Sequence, residues 1–211
     1  RFPPETLIAT ELYFACLDGD WNADGDHQIG EAGASGMRAI VAYGIVQLGD
    51  VARGEQELAQ AAAFIEQQRS ADGRIIPWFG PHAPYVDNSE DLLRAEVAMA
   101  VKYGVGLHLH MAAGPEDNEE TMARYGLTAT QALARDGFFA GRVHAAHCLD
   151  LSDDDIAIFA AAPAASVAYC AAAGLRSGRA GACPRIPPSR PGCSLSARLH
   201  RVLRTLGPCR W

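Results

Sequence analysis

The chain has 211 residues, of which 49% are hydrophobic and 20% are charged, and its formal net charge is −7 at pH 7. This composition is typical of a soluble globular protein, and the acidic balance argues against a nucleic-acid-binding surface. No apolar stretch approaches the roughly 20 residues of a membrane-spanning helix, and the first residues lack the basic and apolar regions of a signal peptide.

The cysteines and the first residue of the sequence give two further expectations. Its six cysteines form no Cys-x-x-Cys pair, so we expect reduced thiols in the cytoplasm. The sequence does not begin with methionine, and we expect it to begin inside a longer chain.

Strand-like and helix-like stretches alternate from residue 38 onward. In chain order we predict a strand at 38–45, a helix at 52–70, a strand at 75–79, a helix at 89–103, a strand at 105–110, a helix at 116–135, a strand at 142–146, a helix at 152–161 and a strand at 165–169. Gly126 predicts a break in the third helix. Ser89 or Asn88 is the expected cap of the second helix, and Ser152 with Asp155 forms a capping pattern before the last.

The spacing of these strands predicts the fold class. The first four begin at Arg38, Ile75, Val105 and Arg142, so successive starts are 37, 30 and 37 residues apart. One strand with its crossover helix has about this length, and the alternation implies parallel strands. We therefore predict an α/β fold that forms part of a (β/α)8 barrel with outer helices. A complete barrel takes about 250 residues, more than this chain contains.

Composition divides the chain into three predicted regions. Residues 1–36 are expected to be an irregular segment with an acidic turn, residues 37–169 the barrel core, and residues 170–211 an irregular tail. No aspartate or glutamate follows Asp155, and Arg, Pro and Cys recur in the tail. A shifted reading frame in GC-rich coding DNA produces this mixture, so we expect no further strand–helix unit there.

Three histidines each lie at or just beyond the end of a predicted strand, namely His82, His110 and His147. Because the carboxyl ends of parallel strands lie at one face of a barrel, we expect these side chains to converge. Imidazole binds metal ions and transfers protons near neutral pH. The alternative is that each is an ordinary, half-buried histidine at a strand end.

Two other histidines lie inside the same strands. His108 alternates with His110 on one strand face, and we interpret it as a packed or supporting residue rather than a metal ligand. His144 stands three residues before His147 and so on the opposite face of its strand. We therefore expect His144 to pack against the helices.

Three sequence motifs carry a resemblance to a known family. GPHAPY at residues 80–85, GVGLHLHMA at 104–112 and VHAAHCLDLSDDDI at 143–156 resemble, in order and spacing, motifs of the amidohydrolase superfamily. The similarity is to the branch with methylthioadenosine/S-adenosylhomocysteine deaminases, chlorohydrolases and guanine deaminases. It covers roughly residues 37–169, and three motifs in sequence are more specific than any one alone.

The resemblance implies a function and a role for each histidine. It implies a metal-dependent aminohydrolase that acts on a purine-like or other N-heterocyclic small molecule. His110 is then a metal ligand, His147 a catalytic group beside the metal-bound water, and His82 a substrate contact. Zinc is the expected metal, with iron as the alternative. The implied partner is a small molecule rather than nucleic acid or membrane, and a homo-oligomer is left open.

The sequence also departs from the family pattern. The family carries a proton-transferring glutamate three residues after the metal histidine, and here that position is Ala113. The histidine pair of the first barrel strand and the aspartate of the eighth strand are absent from the sequence as it stands. Catalytic zinc typically keeps three protein ligands, so we expect the chain to be a fragment that is inactive by itself.

A second motif suggests an alternative function. Residues 20–31 match the calcium-binding loop of an EF-hand, with oxygen-bearing side chains at the ligand positions, Gly25 at the sixth position and Glu31 at the twelfth. Residues 7–17 would form the preceding helix. The glycine-rich stretch after Glu31 is a poor helix, and no second loop is present to pair with the first. The alternative is therefore a non-catalytic calcium-binding or interaction module.

Overall fold

A computed structural model describes residues 6–8, 38–68, 73–168 and 170 of the chain. The described part contains six strands: β1 (Thr6–Ile8), β2 (Arg38–Gly44), β3 (Ile75–Gly80), β4 (Leu107–Met111), β5 (Val143–His147) and β6 (Ala165–Ala168). The strands form one sheet in the order of the chain, and every neighbouring pair is parallel. The predicted α/β class and parallel, barrel-like arrangement are confirmed.

Helices follow each strand from β2 to β5. They are α1 (Val51–Gln68), α2 (Glu90–Tyr103), α3 (Pro115–Tyr125), α4 (Ala129–Arg135) and α5 (Asp153–Ala161), with a short 3₁₀ helix at Phe138–Ala140. None of the helices in the described ranges is long and apolar enough to cross a membrane.

Local sequence sets the ends of these helices. The predicted third helix is divided into α3 and α4 at Gly126, whose φ of 67° ends α3 in the left-handed region that favours glycine. Thr128 then begins α4 with a complete capping box. Ser89, rather than Asn88, caps α2. The capping box predicted from Ser152 and Asp155 is present at the start of α5.

The helices cover one face of the sheet, here called the outer face. Phe64 of α1 packs on Tyr43, and Tyr103 of α2 packs on Phe79. The outer-face residues of β4 and β5 are almost fully buried: Leu107, Leu109, Met111, Val143 and Ala145. Because side chains alternate along a strand, the residues between these lie on the opposite, inner face. The buried outer face holds the sheet together and fixes its register.

The structure differs from the sequence prediction near the N-terminus. Leu7 and Ile8, expected in an irregular segment or in a helix before the EF-hand-like loop, lie in β1 beside β2. The pairing of β1 with Arg38–Ile40 is a long-range contact, and a three-residue strand is too short to show a period in the sequence. The loop at residues 20–31 and the tail beyond residue 170 lie outside the described residues, so those expectations stay predictions.

A close approach between β3 and β4 gives a test of this packing. A methyl group added at Gly106 would lie 2.5 to 2.6 Å from ring atoms of Trp78, which is 4% exposed. We expect Gly106→Ala to lower the free energy of unfolding by about 1–3 kcal/mol, because a buried indole cannot move aside without repacking. Urea denaturation of the purified chain measures this change.

Gly141→Ala is the matched control. A methyl group at Gly141 meets nothing within 4 Å, and its φ of −114° is accessible to alanine. The control should change stability by at most about 0.5 kcal/mol. Equal losses in the two variants would contradict the packing explanation.

Candidate active site

The three strand-end histidines meet at the carboxyl ends of β3, β4 and β5. The His147 Nε2 and His110 Nδ1 atoms are 2.8 Å apart, and the two rings stack with centroids 4.9 Å apart. The ring of His82 lies edge-on to His110 with a centroid distance of 5.3 Å. The His110 backbone N–H also donates to the His82 carbonyl at 2.8 Å. The structure thus brings together all three histidines that the sequence singled out.

The contact between His147 and His110 requires an unusual backbone conformation. In the sheet register His147 is the partner of Met111, which faces α4 on the outer face. Simple alternation would therefore point His147 away from His110. Its φ of 72° turns the chain at the strand end, and Cys148 continues the turn with a φ of 52°. A non-glycine residue in this region costs about 1–2 kcal/mol, and such strain is concentrated at functional sites.

His82 is in a similar backbone state, with a φ of 30°, and Tyr85 in the same loop has a φ of 65°. The Asp87 carboxylate pairs with His82 Nδ1. Asn88 is buried and anchors this loop to the end of β2: its side-chain oxygen accepts from the Gln47 backbone N–H at 2.8 Å, and its side-chain nitrogen donates to the Ile45 carbonyl at 2.8 Å.

Burial keeps the central imidazoles uncharged. Loss of solvation, followed by the proximity of His147 and His82, lowers the pKa of His110 to about 3. Burial also lowers the pKa of His147, against an opposing contribution from the carboxylate of Asp117. At neutral pH both rings are neutral, and each keeps a nitrogen lone pair, which is the form that binds metal ions or accepts a proton.

A second histidine pair lies deeper on the inner face. His108 Nδ1 is 2.8 Å from the His144 carbonyl oxygen, and His144 Nδ1 is 2.7 Å from Ser166 Oγ. The two rings are 5.4 Å apart. The expectation that His144 packs against the helices is wrong, because parallel register pairs it with His108 and Ser166 on the inner face. His108 is a packed residue, as expected.

Comparison with known proteins identifies the family and the fold. The family model described as "Amidohydrolase family" matches residues 16–187. The chain belongs to the amidohydrolase family. It is 38% identical over 137 residues to a 5-methylthioadenosine/S-adenosylhomocysteine deaminase of Pelotomaculum thermopropionicum, covering 64% of this chain and 31% of that relative. It is 38% identical over 126 residues to a 5'-deoxyadenosine deaminase of Methanosarcina acetivorans, covering 59% and 29%.

Solved structures show the same relationship. A zinc-bound adenosine deaminase from Xanthomonas campestris matches with a TM-score of 0.65 and 25% identity, over 73% of this chain and 35% of that one. An atrazine chlorohydrolase from Arthrobacter aurescens, complexed with zinc, matches with a TM-score of 0.64 and 26% identity, over 72% and 36%. The amidohydrolase chain described here therefore spans about a third of the length of these proteins.

The groups that the described residues bring to this end of the sheet can be compared with what a metal site needs. Within the described ranges, no group of three or more His, Cys, Asp or Glu residues is arranged to hold a metal ion. Ala113 supplies only a methyl group, and its backbone N–H donates to Asp117 Oδ2 at 2.9 Å. Asp117 thereby brings a carboxylate to the loop after β4, although as part of the first turn of α3.

Sequence reasoning missed Asp87, the anchoring role of Asn88, and Asp117. Asp87 and Asn88 lie in the loop after GPHAPY, where no period or motif marks a side chain. The sequence predicted Asn88 only as a possible cap of the second helix. Asp117 carried a weak signal, since an acidic residue in the first turn of a helix is ordinarily explained by the helix dipole alone.

Glu96 beneath the loop gives a prediction for the pH dependence of stability. It is fully buried, one carboxyl oxygen lies 3.4 Å from the Asn88 side-chain nitrogen, and the other has no hydrogen-bond partner among the residues that the structure describes. Burial, with repulsion from Glu57, raises the pKa of Glu96 well above its usual value. The folded state therefore holds a proton that the unfolded state releases, and stability falls as pH rises above about 4.3.

We expect Glu96→Gln to be more stable than the wild type by about 1–3 kcal/mol at pH 8, with the difference disappearing near pH 4. Denaturant melts across this range measure it. Glu119→Gln, a change at an exposed glutamate of α3, is the control and should show no such trend. A Glu96→Gln variant destabilised equally at pH 4 and pH 8 would contradict a protonated Glu96.

His144 gives a prediction in which the stability of the fold decreases toward acidic pH rather than toward alkaline pH. Burial, with the proximity of His108, lowers the pKa of His144 to about 3. The folded state stays neutral while the unfolded state gains a proton below about pH 6.5, so stability is lost as pH falls from about 6.5 toward 3. We expect His144→Gln to make the acid limb of the stability profile shallower, as measured by chemical denaturation. An unchanged slope would show that His144 already titrates normally.

Proposed function

We propose that this chain is part of a metal-dependent aminohydrolase that releases ammonia from a purine-like or other N-heterocyclic small molecule. The observation that carries the proposal is the contact of neutral His110 and His147, with His82 beside them, at the carboxyl ends of parallel strands. The chain belongs to the amidohydrolase family and is similar to two deaminases, and both findings favour this reaction class. Two structural relatives are zinc complexes, so zinc is the proposed metal.

His110 is the proposed metal ligand. It lies at the centre of the three histidines, and burial holds its pKa at about 3, so a lone pair is available at neutral pH. Imidazole nitrogen is a good ligand for zinc. A bound divalent ion supplies Lewis-acid activation of water, which allows hydroxide to form near neutral pH.

His147 is the proposed proton-transferring group. It is hydrogen-bonded to His110, and although burial lowers its pKa, the Asp117 carboxylate opposes that lowering, so the ring is neutral at rest and suited to accept and release a proton during the reaction. His82 is the proposed substrate contact. Its side chain is 19% exposed, so an incoming molecule reaches it more readily than it reaches the buried His108.

The described part of the chain does not supply all the groups that the proposed reaction needs. The described residues offer His110 but no set of three metal ligands, and Ala113 cannot transfer a proton. Losing a general acid–base group lowers the rate by about 10²–10⁴, and losing the metal's other ligands weakens water activation as well. We therefore propose that the chain is inactive by itself.

Zinc titration tests the ligand assignment. We expect isothermal titration of the purified chain at pH 7.5 to show weak zinc binding that is lost in His110→Ala, because the central imidazole is removed. His144→Gln is the matched control: it removes another imidazole of the inner face, one whose Nδ1 contacts Ser166 Oγ at 2.7 Å, and it should leave the binding unchanged.

Zinc binding that persists in His110→Ala would contradict the assignment of His110. An ammonia-release assay with methylthioadenosine, S-adenosylhomocysteine or guanine tests the second part of the proposal. Neither the wild-type chain nor Ala113→Glu should turn over with zinc present. Zinc-dependent ammonia release that disappears in His110→Ala would show that the chain is a working enzyme.

A further inference from the structure

The pair formed by His82 and Asp87 connects the candidate site to the loop after β3. Asp87 Oδ2 contacts His82 Nδ1, so this one nitrogen is committed to a carboxylate. The side chains are 19% and 12% exposed. A pair with this degree of burial is held more firmly than the exposed ion pairs of helix surfaces, which contribute little.

The backbone fixes both members of the pair. The Asp87 N–H donates to the Ala83 carbonyl at 3.0 Å, and the Asp87 carbonyl accepts from Leu48 N–H at 2.8 Å. The His82 carbonyl in turn accepts from His110 N–H at 2.8 Å. The backbone of each residue is therefore tied to a neighbouring strand end or loop, which keeps the two side chains within reach of each other.

We propose that Asp87 is the positioning residue of His82 and fixes its tautomer, with the proton on Nδ1 and the lone pair on Nε2. A carboxylate only accepts hydrogen bonds, so the imidazole must donate through Nδ1–H. In the neutral ring Nε2 is then an acceptor. This inference rests on the proposed substrate-contacting role of His82, and it adds to that role the orientation and the protonation of the ring that an incoming molecule meets.

The tautomer can be measured without substrate or metal. Long-range ¹H–¹⁵N correlation spectra of the ¹⁵N-labelled chain at pH 8, with EDTA present, distinguish the two neutral tautomers and the doubly protonated ring. His82→Gln identifies the His82 signals by their loss. We expect a neutral ring protonated at Nδ1. A ring protonated at Nε2, a mixture of tautomers, or a doubly protonated ring at pH 8 would overturn the proposal.

Asp87→Leu tests the cause of that tautomer. Leucine is similar to aspartate in size but offers no acceptor, so nothing holds the proton on Nδ1. We expect the His82 signals to change to the other tautomer or to a mixture of the two, while the other histidines keep theirs. Asp91→Leu is the control: it makes the same chemical change at an exposed position of α2 and should leave His82 unaltered.

The result of the tautomer experiment can be distinguished from a failure of the proposed metal-dependent reaction. An unchanged His82 tautomer in a folded Asp87→Leu chain would overturn the role of Asp87 and leave the zinc assignment to its own test. If Asp87→Leu fails to fold, the wild-type spectrum still decides the tautomer. A failure of zinc binding at His110 would remove the proposed reaction without altering the state of the His82 ring.

Discussion

The hydrogen-bond register between β4 and β5 determines which histidines can meet. It pairs His108 with His144 and Met111 with His147, so that His110 lies opposite the small side chain of Ala146. A slip of one residue would exchange the two faces of the sheet and bury imidazoles among the helices. The apolar outer face excludes that slip, because its side chains pack against the helices and form the core.

The site is built from locally unfavourable features that this core stabilises. His82 and His147 have positive φ angles, and the central imidazoles lose solvation on burial. Glu96, beneath the loop that carries His82, keeps one carboxyl oxygen without a hydrogen bond to any residue of the described ranges. Each feature costs on the order of 1–3 kcal/mol. They persist because helix packing on the other side of the sheet leaves the strand ends little freedom to relax.

The sequence predicted the repetitive part of this structure well. Strand and helix positions follow from apolar periodicity and from glycine and capping residues such as Gly126 and Ser152, which act within a few residues of the chain. The convergence of the strand-end histidines followed from a general property of parallel strands. These are local rules or rules of fold class, and they need no knowledge of individual contacts.

Two of the missed features depend on contacts between distant parts of the chain. The inner-face position of His144 follows from its register with His108, 36 residues earlier. The anchoring of Asn88 depends on Gln47 and Ile45, more than 40 residues away in sequence. The pair of Asp87 with His82 spans only five residues, but it requires the positive φ at His82, which no periodicity encodes.

The contact between His110 and His147 places a condition on the proposed chemistry. One proton lies between His110 Nδ1 and His147 Nε2, and either ring can supply it. A metal ligand usually donates its second ring N–H to a neighbouring acceptor. If His110 binds metal through Nε2, its Nδ1 must carry that proton, and His147 must then hold its own proton on Nδ1. Metal binding at His110 therefore fixes the tautomer of His147, and with it the nitrogen through which His147 transfers a proton.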